Sequence, residues 1–115
     1  MSHAVSPHEL AKAAESYDAT PFLLYPSADG SVRAVHVRAS VKPGEPLATI
    51  SGFGRGIPAA IERDAPFTLL WPSQAGGFSL IADGSGTLVD DETVTITITS
   101  AVLHRPAPDG GARSC

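Results

Sequence analysis

The stretch LATISGFGRGIPAAIERDAPFTLLW, residues 47–71, carries the reading on which the fold turns. It begins as a short strand, Leu47-Ala48-Thr49-Ile50-Ser51, and breaks at Gly52-Phe53-Gly54-Arg55-Gly56. A helix over 57–63 follows, with Pro58 early in it, where a missing N–H costs nothing. The helix stops before Asp64-Ala65-Pro66, and Phe67-Thr68-Leu69-Leu70-Trp71 is an almost wholly apolar strand suited to the centre of a core. Nowhere else does a helix separate two strands. A doubly wound sheet needs a helix between most of its strands, so the sheet predicted here is antiparallel.

The flanks agree. Phe22-Leu23-Leu24-Tyr25 is a short apolar run, and Ser27-Ala28-Asp29-Gly30 contains the Asp-Gly pair that favours hairpins. Residues 31–40, SVRAVHVRAS, read as one strand with Val35 and Val37 on one face and His36 and Arg38 on the other. Residues 42–46, KPGEP, are a loop. Ser6-Pro7-His8-Glu9 has the spacing of a capping box and predicts a thin-faced helix to about Ser16. On the other side, residues 72–77 turn the chain. Residues 78–88 then alternate, with Phe78, Leu80, Ala82 and Leu88 expected inward and Gly84 and Gly86 marking a bulge. Asp90-Asp91-Glu92 is the next turn. Thr93 to Leu103 is the clearest strand, threonines alternating with Val94, Ile96 and Ile98.

Six strands and two short helices predict a mostly β protein, an antiparallel barrel or sandwich. Residues 1–19 form a helix and lead-in, 20–106 the domain, and 107–115 a Pro/Gly-rich tail expected to be flexible. A chain of 115 residues has room for one such domain, and small folds of this kind commonly dimerise.

Composition narrows the function classes. The net charge is −4 and no two basic residues are adjacent, which argues against nucleic acid and against an anionic membrane surface. No apolar run approaches the roughly 20 residues of a membrane span. The first residues show neither the basic nor the apolar region of a secretion signal, so a cytoplasmic protein is expected. The only cysteine, Cys115, excludes an intramolecular disulfide and a cysteine-built metal site.

The candidate chemistry is sparse. The glycine loop at 52–56 either makes a tight turn or lets backbone N–H groups approach a phosphate, with Arg55 as a planar cationic donor. Arg33 and Arg38, five apart, lie on opposite faces of a regular strand; with Arg55 they form a cationic set in an acidic protein. His3, His8, His36 and His104 are scattered without metal-ligand spacing, so no metal is expected. No serine sits in a nucleophile pattern. If the protein is an enzyme, a cofactor carries its chemistry.

Three stretches together resemble the pyridoxamine-phosphate-oxidase-like FMN-binding split barrels, in particular short actinobacterial members. Asp29-Gly30 followed by Arg33-Ala34-Val35-His36-Val37-Arg38 is similar to the family's turn and second strand. Gly54-Arg55-Gly56 through Ala60-Ile61 to Pro66 and Phe67-Thr68-Leu69-Leu70-Trp71-Pro72 looks like its phosphate loop, helix and next strand. Residues 77–84 with 101–106 resemble its last two strands. The resemblance implies a six-stranded antiparallel split β-barrel with two short helices. It implies a homodimer with sites at the interface, FMN or alternatively a deazaflavin as cofactor, and oxidoreductase activity on a small molecule. Carried over by position, Arg33, His36 and Arg38 would face the cofactor. Thr49, Ile50 and Ser51 would line its ring or ribityl chain, and Arg55 with Gly56 would meet its phosphate. Ile57-Pro58 stands where the family usually has a lysine, leaving Arg55 with fewer helpers. The alternatives are a non-catalytic flavin- or haem-binding module and a cofactor-free dimer.

Overall fold

The computed structural model describes residues 2–18, 20–73 and 77–106. The chain runs β1 (Ser2–Val5), a 3-10 turn (Pro7–Glu9) continuing into α1 (Leu10–Ala14), β2 (Phe22–Pro26), β3 (Val32–His36), β4 (Arg38–Val41) and β5 (Leu47–Ser51). It continues through α2 (Gly56–Glu62), β6 (Pro66–Trp71), β7 (Ser79–Asp90) and β8 (Thr93–His104). Every pairing is antiparallel. Hydrogen-bonded neighbours follow the order β3-β2-β6-β7-β8-β5-β4, seven strands along one path, and β1 adds to the last residues of β8. The path begins and ends on the same stretch, 32–41, so the sheet curls round on itself. The fold is a split β-barrel.

The strand expected over 31–40 is divided at Val37, and β1 adds a further one, so the described residues form eight strands where the sequence predicts six. Val37 is where the ladder changes partner. Residues before it pair with β2, residues after it pair with β5, and its own N–H donates to the Pro21 carbonyl (3.2 Å). Alternation continues through the break, because Val35, Val37, Ala39 and Val41 all face inward. The helix at the N-terminus forms without the expected cap. The Ser6 side chain makes no capping bond, and the Glu9 N–H instead donates to the Ser6 carbonyl (2.9 Å).

Alternate residues of the strands fill one interior: Leu23, Tyr25, Phe67, Leu69, Trp71, Leu80, Ala82, Val94, Ile96 and Ile98 are all buried. Each large side chain among them contributes about 1.5–3 kcal/mol by leaving water. α2 lies over the Phe67 end of β6, with Ile57 and Ala60 buried, and α1 covers the Trp71 end with Leu10. Leu88, expected inward, is 44% exposed. It keeps the inward side of the ladder opposite Val94, but β7 has by then run past the packed interior.

The expected bulge falls between Asp83 and Gly84. Asp83 pairs with Ser100 and Gly84 with Ile98, leaving Thr99 as the extra residue, its hydroxyl donating to the Asp83 carbonyl (3.2 Å). A Cβ on Gly84 would overlap the Thr97 carbonyl oxygen, so only glycine lets the two strands approach so closely there. The turn expected over 72–77 lies partly outside the described residues, and the tail at 107–115, with Cys115, lies wholly outside them.

Candidate functional site

The first residue of β4, Arg38, pairs with Ser51 at the end of β5, and Gly52 follows directly. Gly52 holds φ +79°, and a Cβ there would sit 3.2 Å from Arg38 Nη2. The guanidinium therefore lies flat over a bare stretch of backbone. His36, two residues before Arg38 and on the same face, stacks on Phe22 with ring centres 4.3 Å apart and planes 2° from parallel. Its Nε2 lies 3.1 Å from the Thr20 carbonyl oxygen. A carbonyl only accepts, so Nε2 carries the hydrogen and Nδ1 of the neutral ring remains an acceptor. Thr20, His36, Val37, Arg38 and Gly52 line a shallow concavity of about 150 Å³.

The other residues singled out in the sequence divide around this cluster. Ser51 is half-buried beside Arg38, and Thr49 is exposed on the same outer face, opposite Ser40 and Thr95. Ile50 is buried completely, between Ala39 and Val94, so only its backbone can meet a ligand. Arg33 stands opposite Tyr25, which is buried, and so takes the inward side of β3 at the rim. Arg38 takes the outward side, as the spacing of five required. The two arginines do not converge.

Arg55 is exposed at the start of α2, where its carbonyl accepts the Ala59 N–H (3.3 Å) and its side chain makes no capping bond. Gly56 packs against the Tyr25 hydroxyl, which a side chain there would strike. α2 has only seven residues, too few for its dipole to make an anion site by itself. In this stretch the Arg38 guanidinium packs on Gly52, and Arg55 is exposed at the start of α2.

Thr20 and Phe22 belong to the cluster and escaped the sequence reading. Phe22 reads simply as part of an apolar run, and nothing in the sequence marks a Thr20 carbonyl as a ring partner.

Two titrating groups are perturbed elsewhere. Hydrogen bonds from the Ser27 and Ser31 side chains and the Ser31 N–H (2.9 Å) hold Asp29 far below the ordinary carboxylate range, with the Arg33 charge a smaller contributor. Burial pushes the Tyr17 phenol up, and its hydroxyl donates to the Phe78 carbonyl (2.6 Å). His104 Nδ1 lies 3.0 Å from the Ser2 hydroxyl, a structural contact that ties β1 to β8. Among the described residues no three His, Cys, Asp or Glu side chains converge as a metal site, and no helix is long and apolar enough to cross a membrane.

The fold thus defines a split β-barrel with a cationic, ring-walled hollow on its outer face. Compared with protein-family models and with curated proteins, the sequence matches none of them.

Proposed function

We propose that the protein is a flavin-dependent oxidoreductase of the pyridoxamine-phosphate-oxidase-like type, holding FMN, or a deazaflavin in its place, between two copies of the chain and acting on a small molecule. The observation that carries this reading is the Arg38 guanidinium laid over Gly52 beside the His36 ring. A planar, doubly donating cation over accessible backbone suits a phosphate, and the Ser51 and Thr49 hydroxyls beside it suit a polyol chain. The bound flavin would supply hydride or electron transfer. The chain's own part is to anchor the phosphate and to offer His36 Nδ1 as an acceptor at the edge of the hollow.

One chain does not suffice. A hollow of about 150 Å³ is half the smallest ordinary ligand pocket, roughly 300 Å³. A second copy has a surface to dock on. His36, Phe22, Leu70, Ile81, Val102 and Ala4 are register partners in one row across six strands, all on the outer face. That row is about 24 Å wide at about 4.8 Å per strand. With the positions on either side, such as Leu24 and Ala34, the face offers on the order of 600 Å², close to the roughly 800 Å² per partner of a standard interface. Because His36 ends the row, a copy seated there would also wall the hollow.

The test is an FMN titration followed by flavin fluorescence, alongside sedimentation equilibrium. Saturable binding by a dimer is expected, weakened about 10- to 100-fold in Arg38→Ala. Absence of binding at micromolar FMN and deazaflavin, or an unchanged affinity in the variant, overturns the reading. A second reading, a non-catalytic carrier, is favoured by the engagement of His36 Nε2 with Thr20, which leaves one ring nitrogen for chemistry. Turnover with a reduced nicotinamide and an electron acceptor separates the two, since a carrier gives none.

A further inference from the structure

A second concavity lies at the opposite side of β4, where α1 covers the Trp71 end of the barrel. Its volume is about 300 Å³, and Ala11, Ala14, Pro21, Ala39, Val41 and Trp71 supply the apolar half of its lining. Ala39, Val41 and Trp71 are inward-facing residues of their strands, so the hollow is the mouth of the barrel itself, left open because α1 is only five residues long. The polar groups at its edge are unequal in sign. Glu15 and Asp18 both line it, and no lysine or arginine does. Tyr17, also lining it, has its hydroxyl committed to the Phe78 carbonyl and so presents its ring.

Neither carboxylate is neutralised by another described residue. Among the described residues, the one ion pair is Lys42 with Glu45, and neither Glu15 nor Asp18 has a hydrogen-bond partner for its side chain. Lys12, one turn before Glu15, does not pair with it. The hollow therefore combines an indole and a phenol ring, alanine and valine walls, and two unpaired negative charges at the rim. Aromatic faces and carboxylates together attract a cation, and apolar walls favour one whose charge is sheathed in carbon.

We propose that this mouth binds a small quaternary ammonium ion, its methyl groups against Trp71, Tyr17 and the alanines and its charge facing Glu15 and Asp18. Methylated nitrogen needs no hydrogen-bond acceptors, and the Ala, Pro, Val and Trp side chains of the lining offer none. At about 300 Å³ the space sits at the lower bound for ligand pockets, which limits the guest to a compact ion. This site shares only Thr20 with the hollow around Arg38 and does not depend on flavin binding.

Trp71 is the only tryptophan, so its emission reports on this site directly. The experiment titrates the full chain, without flavin, with choline and with its neutral carbon analogue 3,3-dimethylbutan-1-ol. A saturable change in emission is expected with choline at millimolar concentration, and the neutral alcohol should bind about fivefold more weakly or worse. The exposed pair Glu15→Gln and Asp18→Asn, substituted together, should weaken choline by a similar factor or more, and Arg38→Ala should leave it unchanged. No saturable change, equal binding of the alcohol, or an unaffected double variant each overturns the proposal. Failure of FMN to bind leaves this titration untouched, so the two readings fail separately.

Discussion

The outer surface of the barrel has two halves that meet at the Gly84 bulge, and they differ in kind. On one side the register row is Phe22, Leu70, Ile81 and Val102. On the other it is Ser40, Thr49, Thr95 and Thr87. Both rows cross the same two long strands, β7 and β8, at different heights. The lesson is that a single strand can serve two surfaces when one extra residue resets its partners. The hydroxyl row is built to stay wet, since threonine satisfies strand propensity without asking for burial. The apolar row gains only by being covered.

The sharpest way to break this contrast is to remove the bulge. Gly84→Val puts carbon into the Thr97 carbonyl and should cost about 3 kcal/mol, measured by urea unfolding; a loss under 1 kcal/mol would mean that the strands part there without penalty. Next, Leu70→Asp on the apolar row should abolish the proposed self-association, worth about 2 kcal/mol or more, while Thr95→Asp on the hydroxyl row leaves it intact. Sedimentation equilibrium decides, and equal effects would erase the distinction between the faces.

A smaller effect is expected within the apolar half itself. Asp83 accepts hydrogen bonds from Thr68 (2.5 Å) and Ser100 (3.4 Å), a polar point beside the row. Thr68→Val removes the shorter bond and should lower stability by about 1 kcal/mol. The least effect belongs to the β2–β3 turn. Asp29 is held ionised by Ser27 and Ser31, so its folded-state pKa lies below the unfolded value of about 3.9. Its contribution is therefore present above that range and is lost as pH falls through the lowered folded value. Ser31→Ala should raise the Asp29 midpoint in a carboxyl NMR titration, with stability at neutral pH little changed.

Much of the fold could be read from the sequence because burial writes a period of two. β5, β6 and β8 lie within a residue or two of their expected positions, and Asp29-Gly30 turns the chain where its residue types demand. What escaped has physical reasons. Val37 alternates like its neighbours, so a change of ladder partner leaves no mark on the pattern. β1 is short and largely exposed, and it exists because β8 offers an edge far along the chain. Leu88 has the right parity but lies beyond the interior, and periodicity reports side, not depth.

The site was half legible. Arg38 and His36 stand together because residues two apart share a face. Arg33 was already placed apart by its odd spacing, and the structure keeps it so. Ile50 sits inside for the same reason, since Thr49 and Ser51 own the outer face. Arg55 was joined to the set by its glycine loop, its charge and the resemblance, and it stands exposed at the start of α2.

The pairing of Ser2 with His104 spans 102 residues. At about 5–20 residues per second of synthesis, β1 emerges on the order of 5–20 s before its partner exists. Contacts so distant in sequence also form late, after loop closure has been met by nearer ones. The strand that seals the β8 edge is thus made well before β8 and is among the last seated, and until then that edge is open to any other extended chain.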